Sequence, residues 1–115
     1  MSEATKYDTG KNRLELIPPE FIEGVAHVLT FGAKKYGDFN WTKGLKYSRI
    51  IGALMRHLLA FIKGERLDKE SGLPHLWHVG CNLAFLITFE AHAERYKDFN
   101  NLPSYEELND LDIPL

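Results

Sequence analysis

RHLLAFIKGERLDKESGLPHLWHVGCN, residues 56–82, is the stretch on which the fold turns. It closes one apolar helical segment at Gly64, crosses a charged connection and opens a second segment at Leu73–Pro74. Glycine readily ends a helix, and proline is tolerated in a first turn, where its missing N–H has no intrahelical acceptor. A connection this short sets the two helices side by side. His57 then lies near the end of the first helix. His75, His78 and Asn82 share one line on the second, and Glu65, Asp68 and Glu70 sit in the loop between. Imidazoles and carboxylates are the usual protein ligands for divalent ions. The expectation is a metal site built inside a helical bundle.

Upstream of this stretch, Ile51, Leu54, Leu58 and Ile62, helped by Ile50, Met55 and Leu59, recur at helical spacing and predict a helix over residues 47–63. His57 shares a line with Ala53, Ala60 and Gly64, which are small enough to leave room around an imidazole. Downstream, Leu76, Trp77, Val79, Leu83, Ala84, Leu86 and Ile87 cover most of the circumference of a helix predicted over 73–97. Leaving His78 or Asn82 buried without a partner would cost a few kcal/mol, so something must satisfy both. Cys81 falls on a different line and reads as core.

Pro18-Pro19 opens an earlier helix, expected over 19–36 and stopped by Gly37, with Ile22, Val25, Ala26, Leu29, Ala33 and Tyr36 as its buried stripe. Its polar face carries Glu20, Glu23, His27, Thr30 and Lys34. That face is either solvated surface or a cleft wall, with Glu20 and Glu23 near a metal. The loop GDFNWTKGLK, residues 37–46, holds Phe39 and Trp41, which either plug the bundle end or stack on a ligand. Residues 1–13 read as an irregular arm and 98–115 as an acidic tail, in which Ser104-Tyr105-Glu106-Glu107 would cap a short turn near 105–109.

No segment alternates apolar and polar residues as a half-buried strand would. The expected fold is therefore all-α: one domain, a small bundle of three main helices plus a short C-terminal helix. The third helix is apolar on more faces than two neighbours can cover, so a homo-oligomer, a dimer or larger, is expected to complete it.

At 115 residues, 44% hydrophobic and 26% charged, the chain suits a single small globular domain. Its net charge of −2 conceals an asymmetry. Lys34, Lys35, Lys43, Lys46 and Arg49 surround a lone Asp38, while every charge after Lys97 is acidic. A local basic patch fits a small anionic ligand and not a nucleic acid, which asks for a broader basic footprint. One cysteine gives no internal disulfide and suits a reducing compartment. The N-terminus has no apolar signal core, and the apolar run Leu76 to Phe89 is short and broken by His78 and Asn82. The expected place is the cytoplasm, with no membrane partner. P-loop and dinucleotide-binding glycine patterns are absent, as is an adjacent His-Asp pair. Zinc on His57, His75, His78 and Cys81 is conceivable, but the hard carboxylates nearby favour Mg²⁺ or Mn²⁺.

The blocks GK before LELIPPE, FGAKKYGDFNW, and the stretch 56–82 together resemble a phage-encoded family named for dATP/dGTP diphosphohydrolase activity. That family is similar to the all-α, MazG-like nucleoside triphosphate pyrophosphohydrolases. The likeness runs from about Gly10 to Phe89. It implies a self-associating helical bundle that cleaves a (deoxy)nucleoside triphosphate, dATP or dGTP, between the α- and β-phosphates with Mg²⁺ or Mn²⁺. The broader superfamily carries its ions on ExxE and ExxD helices. Here the letters occur as Glu20/Glu23 and Glu65/Asp68, but the second pair precedes the third helix instead of lying within it. On this reading Glu65, Asp68 and Glu70 are the catalytic carboxylates, and His57, His75 and His78 join them as metal ligands or as groups orienting them. Lys11, Lys34 and Lys35 take the phosphates. Trp41 or Phe39 stacks on the base, Asn40 or Asn82 bonds its edge or the sugar, and Tyr36 and Arg56 complete the substrate-binding set. Two other classes stay open: a non-catalytic nucleotide or metal sensor, and a helical protein that occupies a host factor through its acidic tail.

Overall fold

A computed structural model describes residues 2–106. Over these residues the chain is helical: α1 (Pro19–Tyr36), α2 (Tyr47–Ile62), α3 (His75–Ala91) and a one-turn α4 (Ala93–Tyr96). Short 3-10 turns lie at Leu14–Leu16, Asn40–Lys43 and Lys97–Phe99. Strand-like pairing among the described residues is limited to an isolated antiparallel bridge between Leu67 and Pro74. The expected all-α architecture is the one found. No helix among the described residues is long and apolar enough to cross a membrane.

α3 is the central helix, with α1 and α2 both packed against it. α1 runs antiparallel to it: Phe21 lies by Gly80, Gly24 by Trp77, and Lys35 by Glu70 just ahead of α3. Close approach explains Gly24, since a Cβ there would lie 2.7 Å from the Trp77 ring. α2 is also antiparallel to α3, with Tyr47 at its start stacked on Phe89 and His57 near its end beside His75 and His78.

The end of the bundle at the start of α2 is an aromatic core. Phe89 is wholly buried, with Tyr96 4.3 Å and Tyr47 6.0 Å away between ring centroids. Trp41 stacks on Phe85 at 4.9 Å, so its ring plugs this end. Of the two roles open to Trp41, packing is the one its surroundings favour.

This core accounts for one departure from expectation. The third helix does not run on to residue 97 but stops at Ala91, where His92 takes φ −124°, ψ 45°. The chain turns there, and Tyr96 comes back onto Phe89 with its hydroxyl donating to the Thr42 carbonyl at 2.6 Å. Just beyond, Asn101 closes on the first turn of α2, accepting from the Ser48 N–H at 3.0 Å and donating to its hydroxyl at 2.7 Å. This supplies the cap that Lys46, at the helix boundary, cannot. Leu73 and Pro74 likewise stand outside α3. Tyr105 and Glu106 are helical, and the rest of the turn expected near 105–109 lies outside the described residues.

The apolar stripes are only partly covered. Tyr47 and Ile50 of α2 are buried, but Met55, Leu59 and Ile62 further along are exposed. On α3, Leu76, Leu83 and Ile87 lie along one side of the helix and are exposed too, as are Phe21 and Ile22 on α1.

Candidate metal centre

The connection between α2 and α3 is an ordered turn held by its own hydrogen bonds. Gly64, at φ +98°, ends α2, and the next N–H, of Glu65, returns to the Ala60 carbonyl at 3.0 Å. The chain then doubles back. The Asp68 N–H donates to the Leu73 carbonyl, the Gly72 N–H to the Asp68 carbonyl, and the His75 N–H to the Arg66 carbonyl, all at 2.8–2.9 Å. Asp68 caps the turn, its Oδ2 accepting from the Ser71 N–H at 2.8 Å. The result points one carboxylate of the loop inward.

Asp68, His57 of α2 and His75, the first residue of α3, come together there. Each offers a ligand atom, and those atoms lie within 4.8 Å of one another. His75 is buried; His57 and Asp68 are half-buried. The two Nδ1 atoms of His57 and His75 face each other at 2.8 Å. On its far side, His75 Nε2 meets Glu65 Oε2 at 3.0 Å. His78 lies flat against His57, with ring centroids 4.3 Å apart. Its Nε2 is 2.7 Å from the Ser71 hydroxyl and 3.8 Å from Asp68 Oδ2.

Charge states follow from these contacts. Burial pulls the His57 pKa below the usual imidazole value, helped by repulsion from His78 and His75 and partly opposed by Asp68. Burial also lowers His78, with Asp68 opposing it. For Asp68, burial alone would raise the pKa. Hydrogen bonds from the Ser71 N–H and hydroxyl, with the nearby His78 and His57, outweigh it and hold the carboxyl below the ordinary range. At neutral pH these shifts favour an ionised Asp68 carboxylate and uncharged His57 and His78 rings, the forms in which such groups ligate. Cys81 is buried in α3, and burial pushes its thiol up to about 11, so it packs and does not react.

The remaining expected residues are distributed as follows. Glu65 is turned to His75 and Lys69. Glu70 is exposed and takes an ion pair from Lys35. Lys35 thereby bridges α1 to the loop, and the carboxylate raises its pKa. Tyr36 is exposed with the Lys35 ammonium over its ring. Lys34, Arg56 and Lys11 are exposed, Lys11 in the N-terminal arm. Asn40 lies in the half-buried 3-10 turn, and Asn82 donates to the His78 carbonyl on its own helix at 2.9 Å. Phe39 is exposed at φ +57°, a left-handed conformation uncommon for a bulky residue. Glu20 and Glu23 are exposed on α1, and His27 stacks on Trp77.

One residue escaped the sequence reading. Ser71 joins Asp68 and His78, and the spacing Asp-x-x-Ser before a glycine was the signal that could have found it.

Residues 1–99 match the family described as dATP/dGTP diphosphohydrolase, N-terminal. A dATP/dGTP diphosphohydrolase of Salmonella phage PMBT28 is 46% identical over 82 residues, covering 71% of this chain and 28% of that protein. The matched stretch thus spans little more than a quarter of the relative's length. No solved structure matches the chain.

Proposed function

The chain belongs to the dATP/dGTP diphosphohydrolase N-terminal family, and on that premise we propose that it is a metal-dependent pyrophosphohydrolase of deoxynucleoside triphosphates. It would convert dATP and dGTP to the monophosphate and pyrophosphate. The observation that carries this reading is the convergence of His57, Asp68 and His75 from two helices and the loop between them.

A divalent ion would neutralise phosphate charge and acidify a bound water when present. Asp68 brings the negative charge, and His57 and His75 bring lone pairs. Glu65 fixes the orientation of His75. Lys34, Lys35 and Lys11 take the phosphates as point charges. Lys35 can turn from Glu70 to the triphosphate, which frees the Glu70 carboxylate at the lip of the site. In the hydrolytic step the water oxygen bonds to the α-phosphorus. The bond from that phosphorus to the bridging oxygen breaks, its electron pair leaving on pyrophosphate, and the water proton passes to Glu70. On this reading the exposed Phe39 ring stacks on the base and Asn40 bonds the base edge or sugar.

The protein also forms a homo-oligomer on this reading. The exposed Leu76, Leu83 and Ile87 of α3, with Met55, Leu59 and Ile62 of α2, support a second copy covering them. Light scattering should give at least twice the 13.2 kDa of one chain.

The test of activity is a screen of the four dNTPs and four NTPs with separate detection of pyrophosphate and phosphate. The expected result is pyrophosphate from dATP and dGTP, falling about 100-fold or more in Asp68→Ala with unchanged circular dichroism. Nucleotide binding without pyrophosphate from any of the eight would instead favour a non-catalytic sensor.

A further inference from the structure

We propose that the ion held by His57, Asp68 and His75 is a first-row transition ion of the manganese-to-zinc series, and that Mg²⁺ is not retained there. The inference deepens the reading of this cluster as the metal centre; it does not depend on which nucleotide is cleaved.

The argument begins with the carboxylates. Three acids in the loop, Glu65, Asp68 and Glu70, would make an oxygen-rich site suited to Mg²⁺ if all turned inward. The fold turns in one. Glu70 is held at the surface by Lys35, and Glu65 is spent on His75. The donors that converge are two imidazoles and one carboxylate, with a third imidazole, His78, stacked behind His57. Mg²⁺ demands octahedral oxygen and keeps several waters, whereas imidazole suits zinc, iron, cobalt and nickel, and an imidazole–carboxylate mixture admits manganese.

The second observation is independent of composition. A metal-bound histidine almost always donates its other ring N–H to a carboxylate or carbonyl, which fixes the tautomer and makes the ligating nitrogen more basic. His75 has this arrangement. Its Nε2 is 3.0 Å from Glu65 Oε2, which places the proton on Nε2 and the lone pair on Nδ1. That lone pair faces His57 Nδ1 at 2.8 Å, so without an ion the His57 nitrogen must carry the shared proton. Two ring nitrogens around a tetrahedral ion sit about 3.3 Å apart at ordinary metal–nitrogen lengths. An opening of roughly half an ångström and transfer of the His57 proton to its other nitrogen would therefore suffice. Glu65 is, on this account, a positioning residue for His75 and not a ligand.

The experiment is ion binding to chelator-stripped protein without nucleotide, so that it stands or falls apart from the hydrolase reading. Calorimetric titrations with Zn²⁺, Co²⁺, Mn²⁺ and Mg²⁺ are compared for wild type, His57→Ala, Asp68→Ala and Glu65→Gln, with circular dichroism as the check on folding. One Zn²⁺ or Co²⁺ per chain is expected, bound at least 100-fold more tightly than Mg²⁺. That affinity should be lost in folded His57→Ala and Asp68→Ala, and reduced about 10- to 100-fold in Glu65→Gln. The visible spectrum of the Co²⁺ form should change when His57 is removed. If a variant fails to fold, the histidine ring resonances of wild type decide instead. Zn²⁺ should shift His57 and His75 and leave His27 and His92 in place. Mg²⁺ binding as tightly as Zn²⁺, or tight Zn²⁺ binding that survives loss of His57 or Asp68, would overturn the proposal.

Discussion

At one end of the α2–α3 pair, Phe89 is closed in by Tyr47, Tyr96 and Trp41, and the tail is drawn back to cap α2 through Asn101. Roughly 20 Å along α3 from it, at the helical rise per residue, the same two helices meet through His57, His75 and His78. The first end fills its space with rings and ties them from distant parts of the chain. The second gives helix positions that could carry leucine to a buried His75 and half-buried His57 and His78, each matched to a polar partner, while Met55 and Ile62 nearby stay exposed. Packing stabilises most where apolar area is removed from water, whereas a satisfied hydrogen bond nets only about 0.5–1.5 kcal/mol after its desolvation cost. The aromatic end should thus hold the fold, and the histidine end should be replaceable without losing it.

The hardest blow to this contrast is Phe89→Ala, which should cost about 3–5 kcal/mol in urea unfolding, because the largest fully buried side chain leaves a cavity. The folded fraction should still bind its ion. A cost under about 1 kcal/mol would mean that the aromatic end is not the core.

Gly44→Ala comes next. A Cβ there would lie 2.4 Å from the Phe99 ring, at a backbone φ of +109° that side chains rarely adopt. About 1–3 kcal/mol should be lost, from overpacking and strain together. Asn101→Ala removes the borrowed cap of α2 and should cost about 1 kcal/mol. Thermal unfolding of each, beside Asp68→Ala, gives the ordering directly. A loss in metal-free Asp68→Ala larger than in Gly44→Ala would reverse the roles of the two ends.

The finest distinction is pH. His57 and His78 have folded pKa values below those of the unfolded chain, so the unfolded state takes up protons first as the pH falls. Their contribution is intact above about pH 6.5 and is lost as the pH drops from there through the folded values. Asp68 adds a second loss below about pH 4, as its depressed carboxyl is protonated. Melting temperature should fall from pH 7 to 5.5, and less so in His78→Asn. A profile that is flat in wild type over that window would contradict the buried, neutral imidazoles.

The helices and the meeting of His57 with His75 and Asp68 were legible because they follow from period and from a short connection: apolar spacing, a glycine stop and a proline start leave little freedom. What was not legible depends on contacts between parts distant in sequence. The break at His92 carries no glycine or proline; it is imposed by Tyr96 and Phe99 returning to Phe89 and Gly44. Trp41 could plug or stack from sequence, and only Phe85 beside it tips the choice. Among the loop acids the letters were equivalent. Which of them turns inward is decided by the Ser71 turn around Asp68, by His75 claiming Glu65, and by Lys35 claiming Glu70 from another helix.

The claim on which all of this rests is that the histidine end is a metal centre. Its most direct test is an anomalous difference map from crystals of the protein grown with Zn²⁺ or Mn²⁺, recorded on either side of the metal's absorption edge. The account predicts one strong peak per chain in contact with His57, Asp68 and His75, with Glu65 still bonded to the far nitrogen of His75. A peak at Glu20 and Glu23, or none between the two histidines, would contradict it.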